Sequence, residues 1–385
     1  MEDIRKQIAV YIEEHRDAMM DFWRQLVQIE SGSANKAGVD AVARRVQEEL
    51  DTIGAHTEIH EMKRAGNMLV SVLNEEVPEA PVLLLGHMDT VFPDGTVAAR
   101  PFTMRDGKAY GPGVLDMKGG VTIAVFAMKA LKEAGWTRRP VRLVLAGDEE
   151  VGHCNSDCDQ QIMEQARGAV AAFNCESGRL GNEVVIQRKG ALTYRMDVTG
   201  IAAHAGNEPE KGRSAILEMA HKVIAIQNLT DWQQGTTYNV GVISGGTVAN
   251  AVPDTASILI DVRYLKKEYV PDIEAKLQDV AHTNYVDGTK TSLTQLSCCI
   301  PMERMAGTDG LLAKVQEAYA SFGMPRPSGI IVGGGSDSAY TVAAGVPTIC
   351  AMGVEGSRHH SPEEYASVES LYARAKALAY VVTMV

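Results

Sequence analysis

The chain has 385 residues, of which 45% are hydrophobic and 22% are charged, and its formal net charge is −12. This composition is that of a folded globular protein, and the length predicts two or three folding units, of which two is the simplest interpretation. The acidic balance argues against a nucleic-acid partner, because binding a polyanion needs a basic surface. No segment is long and apolar enough to span a bilayer, and the charged beginning lacks an apolar signal core. We therefore expect a cytoplasmic protein without a membrane partner.

The first part of the chain predicts an α/β domain. Apolar residues at helical spacing, including Ile4, Ile8 and Ile12, predict an opening helix over 4–29. Short apolar runs then alternate with helical segments. The runs at 82–85 and 141–146 are apolar at nearly every position, which is typical of parallel strands covered on both faces. We predict a mostly parallel central sheet flanked by helices.

A different pattern begins near Lys189. Strand-like and helix-like segments follow in the order β-α-β-β-α-β as far as "TSLTQL", which is the order of a ferredoxin-like unit. After this unit the chain returns to segments of the first kind. We predict a first domain built from 1–188 and 299–385, with a ferredoxin-like domain, 189–298, inserted between its two parts.

Residue types that bind metal ions follow several of the predicted strands. They are His87 and Asp89 in "LLLGHMDT", Asp116 in "GPGVLDMKGG", Glu149 and Glu150 in "LAGDEEVG", Glu176 in "FNCESG", and His359 and His360 in "SRHHSPEEY". Loops at the carboxyl ends of parallel strands converge on one crevice, so these side chains are expected to share a site. Two imidazoles with several carboxylates suit zinc, and cobalt or manganese would fit the same set.

Local spacing suggests roles and leaves alternatives open. Asp89 lies two residues after His87 on an extended segment, where its carboxylate can orient the imidazole or simply cap a turn. Glu149 and Glu150 are neighbours that point apart, so one should bind a metal ion and the other act as a base. Taken alone, each residue has an ordinary alternative as a hydrogen-bonded loop residue or part of a solvated turn.

Three further motifs are ambiguous from their residues alone. The glycines of "GGGSDS", beginning at Gly333, either allow close backbone approach to a ligand or make a turn. The "SPEEY" segment, 361–365, matches a helix start with a cap, a first-turn proline and a capping-box acid. Cys154 and Cys158 lack a second Cys/His pair at zinc-finger spacing and are interpreted as ordinary thiols.

With these motifs in place, the chain resembles the M20 family of co-catalytic zinc peptidases and amidohydrolases over nearly all its residues. Within the family it is most similar to the glutamate carboxypeptidase (carboxypeptidase G2-like) branch. The resemblance implies a catalytic first domain and an inserted domain that serves as lid and dimerisation domain. It also implies two zinc ions per subunit, one bound by His87 and Glu176, the other by Glu150 and His360, with Asp116 bridging the two.

The same resemblance assigns catalytic roles. Glu149 would be the general base for a metal-bridged hydroxide that attacks an amide carbonyl. Asp89 is counted with the catalytic residues because of its spacing from His87. The peptide bond after Asp116 is expected to be cis. His360 is chosen as the C-terminal ligand because the family histidine directly precedes the serine of "HSPEEY", and His359 is the alternative.

Substrate contacts are implied in the inserted domain and in the glycine-rich loop. His204, in "GIAAHAGNEPEKGRSAI", would reach the partner's active site across a homodimer and lie near the scissile carbonyl. The expected substrate-binding residues are Asn250, Arg263, Gly334, Gly335 and Ser336.

The predicted function is zinc-dependent hydrolysis of an amide or peptide bond, releasing a C-terminal amino acid from a peptide or N-acyl amino acid, with glutamate as one candidate. The alternatives are an aminoacylase, deacetylase or dipeptidase for small N-acyl or neutral amino-acid substrates, and, with less support, a metal-binding homologue without catalysis. Glutamate-specific relatives offer a lysine and an arginine where Val184 and Ile300 stand here. Arg188, Lys189 and Arg304 are the candidate replacements.

Overall fold

The computed structural model describes residues 2–385. The chain forms two compact units. Unit 1 contains the described residues up to Ile186 together with Arg304–Ile331 and Ser336–Val385, and unit 2 contains Gln187–Glu303 and Val332–Gly335. The segment predicted to be inserted, 189–298, lies within unit 2, and its role as a lid and dimerisation domain stays a prediction.

The helices and strands are numbered in chain order. The helices are α1 (Glu2–Glu14), α2 (Arg16–Val27), α3 (Lys36–Asp51), α4 (Thr96–Ala99), α5 (Gly119–Glu133), α6 (Cys158–Ala166), α7 (Ala215–Gln227), α8 (Val270–His282), α9 (Thr308–Ser321), α10 (Ser338–Ala343) and α11 (Val368–Thr383). The first nine strands are β1 (His56–His60), β2 (Met68–Leu73), β3 (Val82–His87), β4 (Thr103–Arg105), β5 (Lys108–Tyr110), β6 (Val141–Ala146), β7 (Ala171–Asn174), β8 (Gly178–Arg179) and β9 (Glu183–Arg188). The others are β10 (Gly190–Thr199), β11 (Ala203–His204), β12 (Thr237–Gly245), β13 (Ala251–Val252), β14 (Thr255–Tyr264), β15 (Lys290–Cys299), β16 (Ser328–Val332), β17 (Thr348–Ile349), β18 (Glu355–Ser357) and β19 (Tyr365–Ser367).

The predicted opening helix is two helices, so a continuous helix over 4–29 is wrong. The chain breaks at His15, whose backbone leaves the helical region at φ −107° and ψ 18°. The His15 ring stacks on Tyr11, with the ring centroids 4.0 Å apart, and its Nδ1 lies 2.8 Å from the Tyr11 carbonyl oxygen. The ring shares this carbonyl with the backbone N–H of His15, which donates to it at 3.1 Å, and such a local side-chain bond competes with regular helix geometry.

The central sheet of unit 1 has the order β1-β2-β6-β3-β7-β17. Strand β3 runs parallel to β6 and β7, and β17 runs parallel to β7, whereas β1 and β2 are antiparallel. Successive residues of β3 enter opposite cores, with Leu84 in the larger cluster and Leu83 and Leu85 in the smaller one. Burial on both faces explains the unbroken apolar runs, and the predicted mostly parallel sheet is confirmed.

A second, mixed sheet positions the later loops of the candidate site. Its order is β16-β9-β8-β18-β19-β5-β4. The antiparallel pair β18 and β19 flanks His360, and β19 also pairs with β5, which precedes Asp116. This sheet, which the sequence reading did not predict, brings loops distant in sequence to one place.

Unit 2 contains a four-stranded antiparallel sheet with the order β12-β14-β10-β15. Helix α7 follows β10 and helix α8 follows β14. Apolar residues of both helices, such as Met219 and Leu277, pack in one core with strand residues such as Leu192 and Ile260. This is the predicted ferredoxin-like arrangement, which is confirmed.

Among residues 2–385, no helix combines the length and the apolar character needed to traverse a bilayer.

Candidate active site

The first candidate ligand, His87, is the last residue of β3 and is 1% exposed. Its Nε2 atom lies 3.4 Å from Asp116 Oδ1 and 3.9 Å from Glu176 Oε1. Its Nδ1 atom lies 3.0 Å from the carbonyl oxygen of Asp89, and the Asp89 carboxylate is slightly farther away at 3.3 Å. A hydrogen bond from Nδ1 leaves the lone pair on Nε2, which faces the acids.

Asp116 lies between two histidines. Its Oδ1 atom is 3.4 Å from His87 Nε2, and its Oδ2 atom is 3.2 Å from His360 Nε2. It sits in an irregular turn, Val114–Lys118, and its peptide bond to Met117 is cis. A carboxylate that offers one oxygen to each histidine has the geometry of a bridging ligand.

Glu150 and His360 meet on the other side of this carboxylate. The His360 Nε2 atom lies 3.2 Å from Glu150 Oε2. The neighbouring His359 is exposed and contacts the His360 ring edge-on at a centroid distance of 5.5 Å. Of the two adjacent histidines, the structure therefore brings His360 to Asp116 and Glu150.

Two overlapping groups of side chains have ligand atoms within 4.8 Å of one another. One contains His87, Asp116 and Glu150, and the other contains His87, Glu149 and Glu176. His87 belongs to both, so the groups form one continuous cluster. The structure thus brings His87 together with Asp116, Glu150 and Glu176, and His360 lies beside this cluster through its contacts with Asp116 and Glu150.

The electrostatics of this cluster fit a divalent cation. Among the described residues, the buried Asp116 Oδ1 and Glu150 Oε1 atoms have no hydrogen-bond donor. Burial raises the pKa of Glu150 to about 8, and burial together with Glu176 raises the pKa of Glu149 well above its ordinary value, against the opposing effect of His87. A bound cation would supply the missing partner and hold these acids ionised.

Asp89 has a role that its spacing from His87 did not predict. Its carboxylate accepts hydrogen bonds from the backbone N–H groups of Glu149 and Glu150, at 3.1 and 3.2 Å. It also accepts from the Ser33 hydroxyl at 2.6 Å. Asp89 is fully buried, so it fixes the turn that carries both glutamates.

Glu364 is a supporting residue that the sequence reading missed. It was expected to cap a helix beginning near Ser361, but that expectation is wrong because strand β19 intervenes and α11 begins at Val368. The buried carboxylate accepts from the backbone N–H groups of Gly113, Leu115 and Asp116 at 2.8–3.0 Å. It holds the turn that presents Asp116, and no local sequence pattern distinguishes this role from capping.

Within unit 2, two predicted residues lie beside each other. Strands β11 and β13 pair His204 with Ala251, and the Ala205 N–H donates to the Asn250 carbonyl. The His204 Nδ1 atom accepts from the N–H groups of Gly206 and Asn207 at 3.1 Å. The proton must therefore be on Nε2, which leaves an exposed donor at the ring tip.

The other predicted substrate residues are tied to the glycine-rich loop. Arg263 donates to Asp261 at 2.8 Å and to the Gly333 carbonyl at 3.3 Å. The carbonyl oxygens of Gly334 and Gly335 accept from Arg188 at 3.2 and 3.0 Å. In unit 1, Ser336 is buried and its hydroxyl accepts from the Ser338 N–H.

A surface cavity of about 450 Å³ in unit 1 adjoins Glu150. Val91, Phe92, Asp94 and Val151 line this cavity. Gly32 and Thr90, which also line it, form a parallel β-bridge. The cavity is large enough for a small substrate group.

The α/β fold and the cluster of acids and histidines are the features expected of a metal-dependent hydrolase. Residues 83–384 match the model of Peptidase family M20/M25/M40, and the chain belongs to this family. It is 28% identical over 376 residues to carboxypeptidase G2 from Pseudomonas sp. strain RS-16, covering 94% of this chain and 88% of that protein. It is 27% identical over 308 residues to succinyl-diaminopimelate desuccinylase from Gluconacetobacter diazotrophicus, covering 75% and 77%. A tripeptidase structure from Staphylococcus aureus superposes with a TM-score of 0.81 at 21% identity, covering 96% of this chain and 98% of that one.

Proposed function

We propose that this protein is a two-zinc hydrolase that releases a C-terminal amino acid from a peptide or an N-acyl amino acid. The observation that carries the proposal is Asp116, which offers one carboxylate oxygen to His87 and the other to His360. Glu176 would complete the first metal site and Glu150 the second. Cobalt or manganese would suit the same ligands.

Metal ions held by these residues would polarise the substrate carbonyl and acidify the attacking water. Glu149 takes a proton from the attacking water and passes it to the leaving amine. Asp89 holds the backbone N–H groups of Glu149 and Glu150. The Glu150 side chain can then point to a metal ion while the Glu149 side chain points to the water. His204 donates from Nε2 to the carbonyl oxygen as charge develops on it, as the resemblance implies for a partner subunit. Asn250 and Arg263, with the loop at Gly334, Gly335 and Ser336, hold the substrate.

The burial of Val184 and the hydrogen-bond partners of the candidate cations favour a neutral C-terminal residue over glutamate. Val184 is fully buried in the core of unit 1. Lys189 donates to the Gly235 carbonyl at 2.7 Å, and Arg304 is paired with Asp309 at 2.5 Å. Arg188 donates to loop carbonyls. Each candidate cation already donates to an acceptor of the protein. A substrate carboxylate would have to displace that acceptor in order to pair with the cation.

The cavity beside Glu150 is a candidate for the acyl group of the substrate. Apolar side chains of Val91, Phe92 and Val151 line it, and the carboxylate of Asp94 would repel an anion. We expect uncharged acyl groups to be accepted better than succinyl groups. This expectation favours a carboxypeptidase or aminoacylase over a desuccinylase.

We also propose a homodimer through unit 2, on the support of exposed apolar residues at one edge. Strand β12 is an edge strand and exposes Val242 and Ile243, at 54% and 59%. Helix α7, which packs on the same sheet, exposes Leu217 and Ile224, at 52% and 61%. Exposed edges and apolar patches are features of association surfaces.

The cytoplasmic location stays a prediction from the sequence.

The proposal is tested with zinc-loaded protein and a panel of N-acyl-glutamates, N-acyl neutral amino acids and dipeptides, by measuring the free amino acid released. Glu149→Ala should lower turnover by about 10²-fold or more with its zinc content unchanged, whereas the matched variant Glu150→Ala should lose zinc. Loss of zinc from Glu149→Ala would mean that the two glutamates have exchanged roles. Absence of release from every substrate would reject the proposed function.

A further inference from the structure

We infer that His153 is a positioning residue that clamps Asp148 to Asp337 and thereby fixes the turn carrying Glu149 and Glu150. The inference rests on the proposed function. It concerns a buried histidine outside the predicted metal ligands and outside the proposed proton transfer.

The hydrogen bonds of His153 define its charge state. The side chain is 6% exposed. Its Nδ1 atom lies 2.9 Å from Asp148 Oδ1, and its Nε2 atom lies 2.7 Å from Asp337 Oδ1. A neutral imidazole has only one N–H group, so two ionised carboxylate partners require both nitrogens to be protonated. His153 is therefore an imidazolium ion between two carboxylates, which is a strong, charge-assisted arrangement.

The backbone brings His153 back to the residue that precedes the two glutamates. The Gly152 N–H donates to the Glu149 carbonyl at 2.8 Å, and the His153 N–H donates to the Asp148 carbonyl at 3.1 Å. His153 itself has a φ of 55°, in the left-handed region that few residues other than glycine adopt. This turn lets the side chain reach the carboxylate of Asp148, which also accepts from Ser156 at 2.8 Å.

The other partner connects the clamp to a second site loop. Asp337 precedes α10, and the hydroxyl of the next residue, Ser338, accepts from the Asn174 side chain at 2.9 Å. The Asn174 side-chain oxygen in turn accepts from the Glu176 N–H at 3.2 Å. The start of α10 is thus linked to the loop of Glu176 through Asn174, and to the Glu149–Glu150 turn through His153. Without His153 the second link is lost and two buried carboxylates face each other without a cation.

The connection explains why three consecutive acids, Asp148, Glu149 and Glu150, follow β6. Glu149 and Glu150 face the predicted metal site. Asp148 is fully buried and pairs with His153 instead. Asp148, His153 and Cys158 also have ligand atoms within 4.8 Å of one another. We favour the clamp over a third metal site, because both ring nitrogens already lie at hydrogen-bond distance from carboxylate oxygens.

The test uses His153→Ala, Asp337→Asn and the double variant, with His60→Gln as a matched control. His60 lies in the same unit and hydrogen-bonds Gln161 at 2.7 Å. We expect each single variant to lower kcat about 10-fold or more with KM changed less than about 3-fold, and to keep the metal content of the wild type. The kcat of the double variant should be no lower than that of the more impaired single variant, because either substitution alone already breaks the same connection.

A second readout is independent of turnover. The visible spectrum of cobalt-loaded protein reports ligand geometry, and it should change in His153→Ala and Asp337→Asn but not in His60→Gln. Unchanged kcat and spectrum with only a lower melting temperature would overturn the inference, as would losses that multiply in the double variant. Loss of a third metal equivalent from His153→Ala would identify a metal site instead. Wild-type protein that cleaves nothing would reject the proposed function and leave the cobalt spectra to decide the clamp.

Discussion

At the scale of single residues, the acids of the candidate site are distinguished by what surrounds them. Asp148 has a buried histidine, Asp89 has backbone N–H groups, and Asp116 and Glu150 retain buried oxygen atoms without a donor among the described residues. Asp148 also has a buried oxygen, Oδ2, without a donor among the described residues, but the ring of His153 already lies against its carboxylate. Asp116 and Glu150 are therefore the acids for which a metal ion would be the partner. Similar residues in one loop cluster can therefore serve as structural supports or as candidate ligands, depending on their donors.

Glu364 provides a prediction about metal affinity. In Glu364→Gln an amide group would replace one oxygen that accepts from the backbone turn before Asp116, so the turn would be held less firmly. We expect zinc affinity to fall about 10-fold to 100-fold, as for other residues that orient metal ligands, with kcat restored at saturating zinc. A chelator competition assay measures this, with the exposed neighbour variant Glu363→Gln as control. Equal affinities in both variants would contradict the role.

The sequence predicted the members of the site better than their supports. His87, Asp116, Glu150, Glu176 and His360 each follow a strand or match a motif, so their convergence could be expected. Glu364 and His153 could not be predicted in this way. Their partners are backbone groups or acids that the second sheet and α10 bring close, and nothing in the local sequence specifies those contacts.

At the scale of helices and strands, the carboxyl ends of β3, β6 and β7 lead directly into His87, the Glu149–Glu150 turn and Glu176. Parallel pairing of these strands accounts for their convergence. The helices behind the sheet are joined by ion pairs. Glu49 of α3 pairs with Lys129 of α5 and, at 2.7 Å, with Arg45 of its own helix.

This cluster predicts a pH-dependent contribution to stability. Burial raises the pKa of Glu49, but the hydrogen bonds from Lys129 and Arg45 outweigh this effect, so the pKa is lowered. The stabilisation is therefore complete above the unfolded pKa of about 4.3 and is lost as the pH falls through the lower folded value. We expect Glu49→Gln to lower the free energy of unfolding by about 1–3 kcal/mol at pH 7.

Urea unfolding at a series of pH values tests this expectation. The difference between wild type and Glu49→Gln should shrink below about pH 4, where protonation of Glu49 weakens the ion pairs in the wild type. The exposed neighbour variant Glu48→Gln should have almost the same free energy of unfolding as the wild type at every pH. A deficit in Glu49→Gln that stays constant down to acidic pH would contradict the ionic account.

At the scale of the whole molecule, two units of different architecture could be predicted because their strand and helix orders differ. Unit 1 alternates strands with helices, and unit 2 follows β-α-β-β-α-β. The mixed sheet was missed because several of its strands are only two or three residues long, as in β8 and β19. Such short strands carry too few residues for a detectable alternation of apolar and polar positions.

The central claim is that Asp116 joins two metal sites, with His360 in the second. Elemental analysis of zinc-loaded protein tests it most directly, using His360→Ala and its adjacent control His359→Ala. The account predicts two zinc ions per chain in the wild type and in His359→Ala, and one in His360→Ala. A wild type that holds fewer than two zinc ions, or a loss in His359→Ala with none in His360→Ala, would contradict it.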